Sequence, residues 1–214
     1  MPGSAAGPAG GAGDDPTPVR AGRPDDAAAV AALHAGLITE GFLSSLGPRF
    51  LARLYRRIAL GPGSFILVAE GDGAPVGFIA GAVALSRLYR TFLVRDGVAA
   101  FLSAPVRLTG ALPRVLETLR HGRNGPATKG AELLAVAVDP AWRGRHLGQR
   151  LVAAFLDELE HRRISDAHVV VGSDNAAAIA MYRRAGFAPA ATFEMHRGTA
   201  SMLLETPVPA RGAP

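Results

Sequence analysis

No cysteine occurs among the 214 residues, which excludes disulfides, zinc-thiolate sites and cysteine nucleophiles. Lysine is nearly as scarce, with Lys129 the only one, so nearly every basic side chain is an arginine. No apolar run reaches the ~18 residues that a membrane span needs, so an integral membrane protein is not expected. His34, His121, His146, His161, His168 and His196 follow no metal-ligand spacing, and no metal is expected. No serine stands in a Gly-x-Ser-x-Gly elbow, which disfavours a covalent serine intermediate. Met1 to Pro16 is rich in Gly, Ala, Pro and Asp, with neither the basic start nor the apolar centre of a signal peptide. That, with the missing cysteine, predicts a cytoplasmic location and a disordered tail over 1–17.

What is present is a chain of 49% hydrophobic residues, long enough to bury a sizeable core. The formal charge is +5 and the sequence pI about 10.6. Nucleic acid is not the expected partner, because no aromatic-and-basic platform and no reading module accompanies the charge.

The most informative stretch runs from Glu132 through Leu-Leu-Ala-Val-Ala-Val to Asp139-Pro140, then Ala-Trp-Arg143-Gly-Arg-His-Leu-Gly148 and a long amphipathic segment. It reads as strand, loop and helix. The strand ends at Asp-Pro because proline has no N–H to pair. Leu147, Leu151, Phe155 and Leu159 recur at four-residue steps, with Val152 and Leu156 widening the stripe, which predicts the helix. A loop of two glycines and two arginines at a helix N-terminus suits an anion such as a pyrophosphate, since backbone N–H groups converge where the helix adds partial positive charge. A surface turn with solvated arginines is the alternative on this stretch alone.

Downstream, after the apolar run Ala167 to Gly172, lies Asn175-Ala-Ala-Ala-Ile-Ala-Met-Tyr182-Arg-Arg-Ala-Gly186-Phe187. Asp174 or Asn175 is suited to cap a helix there, and Gly186 to end it. With both segments in this order, the chain resembles the GNAT superfamily of acyl-CoA N-acyltransferases. In that family the loop has the form Arg/Gln-x-x-Gly-x-Gly/Ala and holds the pyrophosphate of coenzyme A. Arg143, Gly144, Arg145, Leu147 and Gly148 fit it, with Gln149 next in line, while His146 replaces the first of the two pattern glycines. A backbone contact survives that replacement, but loop geometry changes if the position needs positive φ.

The resemblance implies acetyl-CoA as acyl donor, direct transfer to a primary amine, and roles for named residues. Counting back from Arg143 places the strand amides that hold pantetheine and the acetyl carbonyl at Val136 and Val138, with an amide near Val136 as oxyanion donor and Ala137 between them on the cofactor-binding stretch. Glu132 stands where a number of family members carry a general base. On a regular strand residues 132, 134 and 136 share one face, which would bring the carboxylate towards the amine; the alternative is a strand-entry glutamate paired with an arginine. Tyr182 matches the tyrosine that protonates the departing thiolate, or else is a helix tyrosine packed on the sheet. Asn175 matches a pantetheine-binding residue, or is an N-cap. Arg145, Arg150, Arg183 and Arg184 are candidates for the phosphates.

Along the rest of the chain, Pro18 to Gly22 reads as a short strand, a helix follows with Asp25 as N-cap, and Gly47-Pro48 opens a second helix buried through Leu51, Leu54, Tyr55 and Ile58. Ser64 to Glu70 and Val76 to Val83 form a hairpin around Gly71 to Pro75, and Ala191 to Met195 with Ala200 to Glu205 a last one. The expected fold class is α+β, a mixed and mainly antiparallel sheet with helices on both faces, as one domain over 18–206 with a flexible tail at 207–214.

The anomaly is an insertion over 85–126 between the third and fourth strands, too long for an ordinary connection. Leu88 to Val94 and Val115 to Arg120 look helical within it. Its seven arginines against Asp96 and Glu117 equal the whole chain's excess charge. Three readings stand: a flap shaping the acceptor site, a patch for an anionic membrane or partner, or a solvated insertion with its apolar side on the domain. The acceptor expected first is a small-molecule amine, then a protein or peptide amine; a CoA-binding module without turnover is the reading from another class. The oligomeric state is not legible.

Overall fold

The computed structural model describes residues 17–38, 47–96, 128–196 and 199–209. Seven strands form one sheet in the order β1-β2-β3-β4-β5-β7-β6. They are β1 (Val19–Ala21), β2 (Ser64–Gly71), β3 (Ala74–Ala82), β4 (Ala131–Val138), β5 (Asp166–Gly172), β6 (Ala188–His196) and β7 (Thr199–Pro207). Only β4 and β5 run parallel; every other neighbour pair is antiparallel. Among the described residues five α-helices flank the sheet: α1 (Ala27–Leu37), α2 (Pro48–Leu60), α3 (Leu85–Arg95), α4 (Leu147–His161) and α5 (Ala176–Arg184). The architecture is the α+β one that the order of periodic segments implies, with helices on both faces.

On one face the α4 stripe Leu147, Leu151, Val152, Phe155 and Leu159 is buried against Phe65, Ile79, Leu133 and Val169. Phe155 stacks on Phe65 with centroids 5.5 Å apart. On the other face α1, α2 and α3 cover Ile66, Val68, Phe78 and Ala80 through Val30, Leu51, Leu54, Tyr55, Leu88 and Phe92. The α2 stripe is the one its spacing predicts. Truncating a side chain as enclosed as Phe155 costs about 3–5 kcal/mol, so either layer can be broken at a single position.

Several details depart from expectation. A 3-10 turn at Pro24–Asp26 precedes α1, and Asp26 rather than Asp25 carries the polar contacts: it accepts from the Arg23 N–H at 2.7 Å and pairs with Arg20. Packed residues occur just outside the expected limits of 18 and 206. Thr17 is buried and its carbonyl accepts from Arg150 at 2.6 Å. At the other end β7 continues to Pro207, and the buried Val208 donates to the Ser165 carbonyl at 2.8 Å. The first helical segment of the insertion is α3, fixed to α2 by Phe50 edge-on to Phe92 at 5.2 Å and by Arg57 bonded to Asp96 at 2.7 Å. The second, Val115 to Arg120, lies outside the described residues. None of the described helices is long and apolar enough to cross a membrane.

Candidate active site

The site begins where two strands part. β4 and β5 pair only through Ala131, Glu132 and Leu133, opposite Ala167, His168 and Val169. Beyond Leu133 the β5-side edge of β4 has no strand partner among the described residues, while β3 continues to pair on the other edge. Asp139 donates its N–H to Val76 on β3. Because backbone groups alternate along a strand, Val136 and Val138 turn theirs the opposite way, into the split. Two peptide N–H groups spaced two residues apart therefore face the open edge.

The ladder also contains a bulge. Gly81 pairs with Leu133 and Ala80 with Ala135, leaving Leu134 without a partner. One extra residue inverts the alternation from that point. Leu133, Val136 and Val138 pack towards α4, whereas Leu134, Ala135 and Ala137 pack towards α1 and α2. Glu132 is in register with Ala82, which belongs to the α1/α2 layer. The expectation that residues 132, 134 and 136 share a face is thus wrong for Val136.

After β4, Asp139 accepts from the Ala141 N–H at 2.8 Å and shapes a 3-10 turn through Trp142. Trp142 lies against Gly71, where a Cβ would stand 2.4 Å from the indole, and Arg145 stacks over the same ring at 4.5 Å. Gly144 has φ +79° and His146, the N-cap of α4, has φ +56°. The pattern position without its glycine does take the left-handed backbone, and a histidine adopts it. The His146 ring is bonded through Nδ1 to Gln149 Oε1 at 3.1 Å. The first N–H groups of α4 have no acceptor within the helix and point out of its N-terminus.

A cleft of about 410 Å³ joins the open strand edge to that N-terminus. Of the candidate cofactor residues, Val136, Ala137, Val138, Arg143, Gly144, His146, Leu147, Gly148 and Gln149 line it. Arg145 and Asn175 do not. The Asn175 side chain caps α5 by accepting from the Ala178 N–H at 3.1 Å. Sequence reasoning missed Leu37 and Ile38, at the end of α1, and Ala177, Ala178 and Met181 of α5. Among the candidate phosphate arginines Arg184 lines the cleft, while Arg150 is occupied by Thr17. Tyr182 is 4% exposed, packed against Phe187, and reaches the cleft only through its neighbour Met181. Burial pushes its phenol well above the ordinary range.

On the other face Glu132 is surrounded by side chains from several elements. Its Oε2 lies 3.8 Å from His168 Nε2, and the carboxylate side chain is 26% exposed. His168 is buried, and its Nδ1 is 3.2 Å from the Lys129 carbonyl oxygen. Burial, with the Glu132 carboxylate as a second cause, pushes the Tyr89 phenol of α3 up to about 12. Tyr89 therefore keeps its proton at neutral pH. Burial and then Tyr89 push the Tyr55 phenol higher still. Tyr55 bonds to His34 Nδ1 at 2.6 Å, and burial holds that imidazole below its ordinary range. No cluster of metal-binding side chains occurs among the described residues.

Comparison with known proteins agrees with this geometry. The sequence pattern of the acetyltransferase (GNAT) family matches residues 36–187. A 67-residue segment is 43% identical to mycothiol acetyltransferase of Clavibacter michiganensis, covering 31% of this chain and 22% of that protein. A 57-residue segment is 42% identical to the [ribosomal protein bS18]-alanine N-acetyltransferase of Escherichia coli K12, covering 27% of this chain and 38% of that one. These alignments thus span well under half of either relative. Among solved structures, yncA of Salmonella typhimurium with its cofactor acetyl-CoA superposes with a TM-score of 0.60 at 19% identity, over 92% of this chain and 96% of that one.

Proposed function

Because the chain belongs to the GNAT acetyltransferase family, we propose that it transfers the acetyl group of acetyl-CoA directly to a primary amine of a small molecule. The observation that carries this reading is the continuous cleft from the open edge of β4 to the N-terminus of α4. Bound there, acetyl-CoA would supply an acyl group activated as a thioester. The Val136 and Val138 amides would hold the pantetheine arm and the acetyl carbonyl, and the amide at Val136 would meet the charge that develops on the carbonyl oxygen. Arg143, Arg184 and the first turn of α4 would take the phosphates. Glu132 would accept the proton that the ammonium must lose before its nitrogen can attack. Since the bulge turns the Val136 side chain away from the Glu132 face, a water is the natural link between carboxylate and amine. Tyr182, whose raised phenol keeps its proton, is buried behind Met181 and would serve as acid to the leaving thiolate only with Met181 moved aside.

The two relatives are named for different classes of molecule, mycothiol and an alanine of a ribosomal protein. The charge of the insertion favours the first kind. Seven arginines against two acids would repel a basic peptide and attract an acceptor carrying phosphate or carboxylate. The test is release of free thiol from acetyl-CoA, followed with a thiol reagent across a panel of amino sugars, metabolite amines and N-terminal peptides. Turnover confined to peptides would replace the acceptor class. Acetyl-CoA binding without turnover on any amine would leave a CoA-binding module.

A further inference from the structure

Glu132 and His168 sit side by side one rung before the last, Leu133 with Val169, at which β4 and β5 part. A carbonyl oxygen only accepts, so the contact of His168 Nδ1 with the Lys129 carbonyl requires a proton on Nδ1. In the neutral ring Nε2 then carries the lone pair. That lone pair faces a carboxylate oxygen at 3.8 Å, too far for a direct hydrogen bond. Two acceptors so placed leave room for one donor group that serves both. The partner cannot be a second acceptor, because neither the imidazole lone pair nor the carboxylate has a proton to offer it.

We propose that His168 is a positioning residue for the acceptor: its Nε2 and the Glu132 carboxylate together seat one primary ammonium nitrogen at the mouth of the strand split. This rests on the reading of Glu132 as base. One ammonium N–H points to each acceptor; the proton on the Glu132 side passes to the carboxylate, directly or through a water. The nitrogen keeps that electron pair and forms the bond to the acetyl carbon as the carbon–sulfur bond breaks; the second proton it sheds on becoming an amide goes to the departing thiolate, which leaves as free thiol. His168 takes no proton. A tertiary or quaternary nitrogen lacks the N–H groups to satisfy both atoms, so the pair also selects the degree of substitution. The Nδ1 anchor sets the ring orientation in the manner of backbone-bonded histidines elsewhere.

Nitrogen NMR of the full chain carrying labelled histidine tests this without turnover, with His168→Asn assigning the signal. The expected spectrum has the proton on Nδ1, and the Nε2 signal moves saturably with ethylammonium but not with tetramethylammonium. Kinetics add a second readout. In His168→Asn the amide still donates to the Lys129 carbonyl while Nε2 is gone, so the amine KM should rise about tenfold or more, the worth of a hydrogen bond to a charged group. Acetyl-CoA binding and melting temperature should stay near wild type, and His168→Gln, which restores an acceptor, should recover most of the KM. A proton on Nε2, favoured if Glu132 and the in-register Glu205 of β7 together hold an imidazolium, would overturn the proposal. So would a signal indifferent to ethylammonium, or equal loss in both variants together with a lowered melting temperature. If instead the NMR response appears but no amine is acetylated, the reading of the protein as a transferase fails on its own.

Discussion

The two faces of the sheet are built on different principles. Against α4 and α5 the buried surface is an apolar stripe, with Tyr182 the titratable exception among the described residues. Against α1, α2 and α3 each helix brings a titratable side chain inward, His34, Tyr55 and Tyr89, towards a strand pair that carries Glu132 and His168. The first face needs only packing, since the cleft proposed for the cofactor lies beside it along the open β4 edge and the N-terminus of α4. The second spends stability on burying polar groups, a cost proteins accept mainly where chemistry requires it. On the proposed function, cofactor recognition would rest on the main chain and acceptor chemistry on side chains.

The largest effect that would sharpen this division is on turnover. Glu132→Gln should lower kcat by about two to four decades while acetyl-CoA raises the melting temperature as in wild type. Single-turnover rates beside thermal shifts measure both. A variant with full activity would move the base to a water or to another side chain of the same face.

Next in size is the rung that holds the faces in register. Gly130 has φ +76°, and a Cβ there would lie 1.8 Å from the Asp166 carbonyl oxygen at the start of β5. Gly130→Ala must therefore push β4 from β5. A loss of about 3 kcal/mol is expected, seen as a fall of roughly 6–12 °C in the thermal midpoint for a domain of this size. A variant of unchanged midpoint would mean that the parallel rung is not what fixes Glu132 beside His168.

The same contrast explains what was legible in the sequence. The cofactor cleft is mostly one contiguous stretch, Val136 to Gln149, whose proline, glycines and helical spacing are local signals. Its far wall, Ile38 and Met181, comes from other elements and left no mark in the motif. The acceptor side was read only at Glu132. The run Leu133-Leu-Ala-Val-Ala-Val138 is apolar throughout, so nothing in it reveals that Leu134 is bulged. His168 became a partner of Glu132 through the register of a parallel pair, which the fold determines and no turn residue announces. Tyr89 lay in an insertion whose charge drew notice and whose single, half-buried phenol did not.

A smaller effect separates the faces by pH. Burial depresses His34 below its ordinary value of 6.5. The unfolded chain then binds a proton that the native state does not, so stability holds above about 6.5 and is lost as pH falls from there through the depressed native value. Wild-type melting temperature should decline over that window, and His34→Gln, which keeps a partner for Tyr55, should show a shallower slope whatever its absolute stability. Equal slopes would mean that the α1 imidazole is protonated in the native protein.

The smallest effect tests whether the cofactor face depends on backbone shape alone. His146 holds φ +56° where the family pattern has glycine. Left-handed backbone costs a side-chain-bearing residue roughly 1–2 kcal/mol, and glycine removes that cost while loosening the unfolded chain by about 0.4–1 kcal/mol. His146→Gly should therefore change the thermal midpoint by only a few degrees, upward if at all, and leave acetyl-CoA affinity within a few-fold. His146→Val removes the same imidazole but resists the conformation through its branched Cβ. Affinity lost in the valine variant and kept in the glycine variant would show that the loop recognises its ligand through φ at this position. Equal losses in both would give the imidazole, steadied by Gln149, a contact of its own with the phosphates, and main-chain recognition on this face would be incomplete.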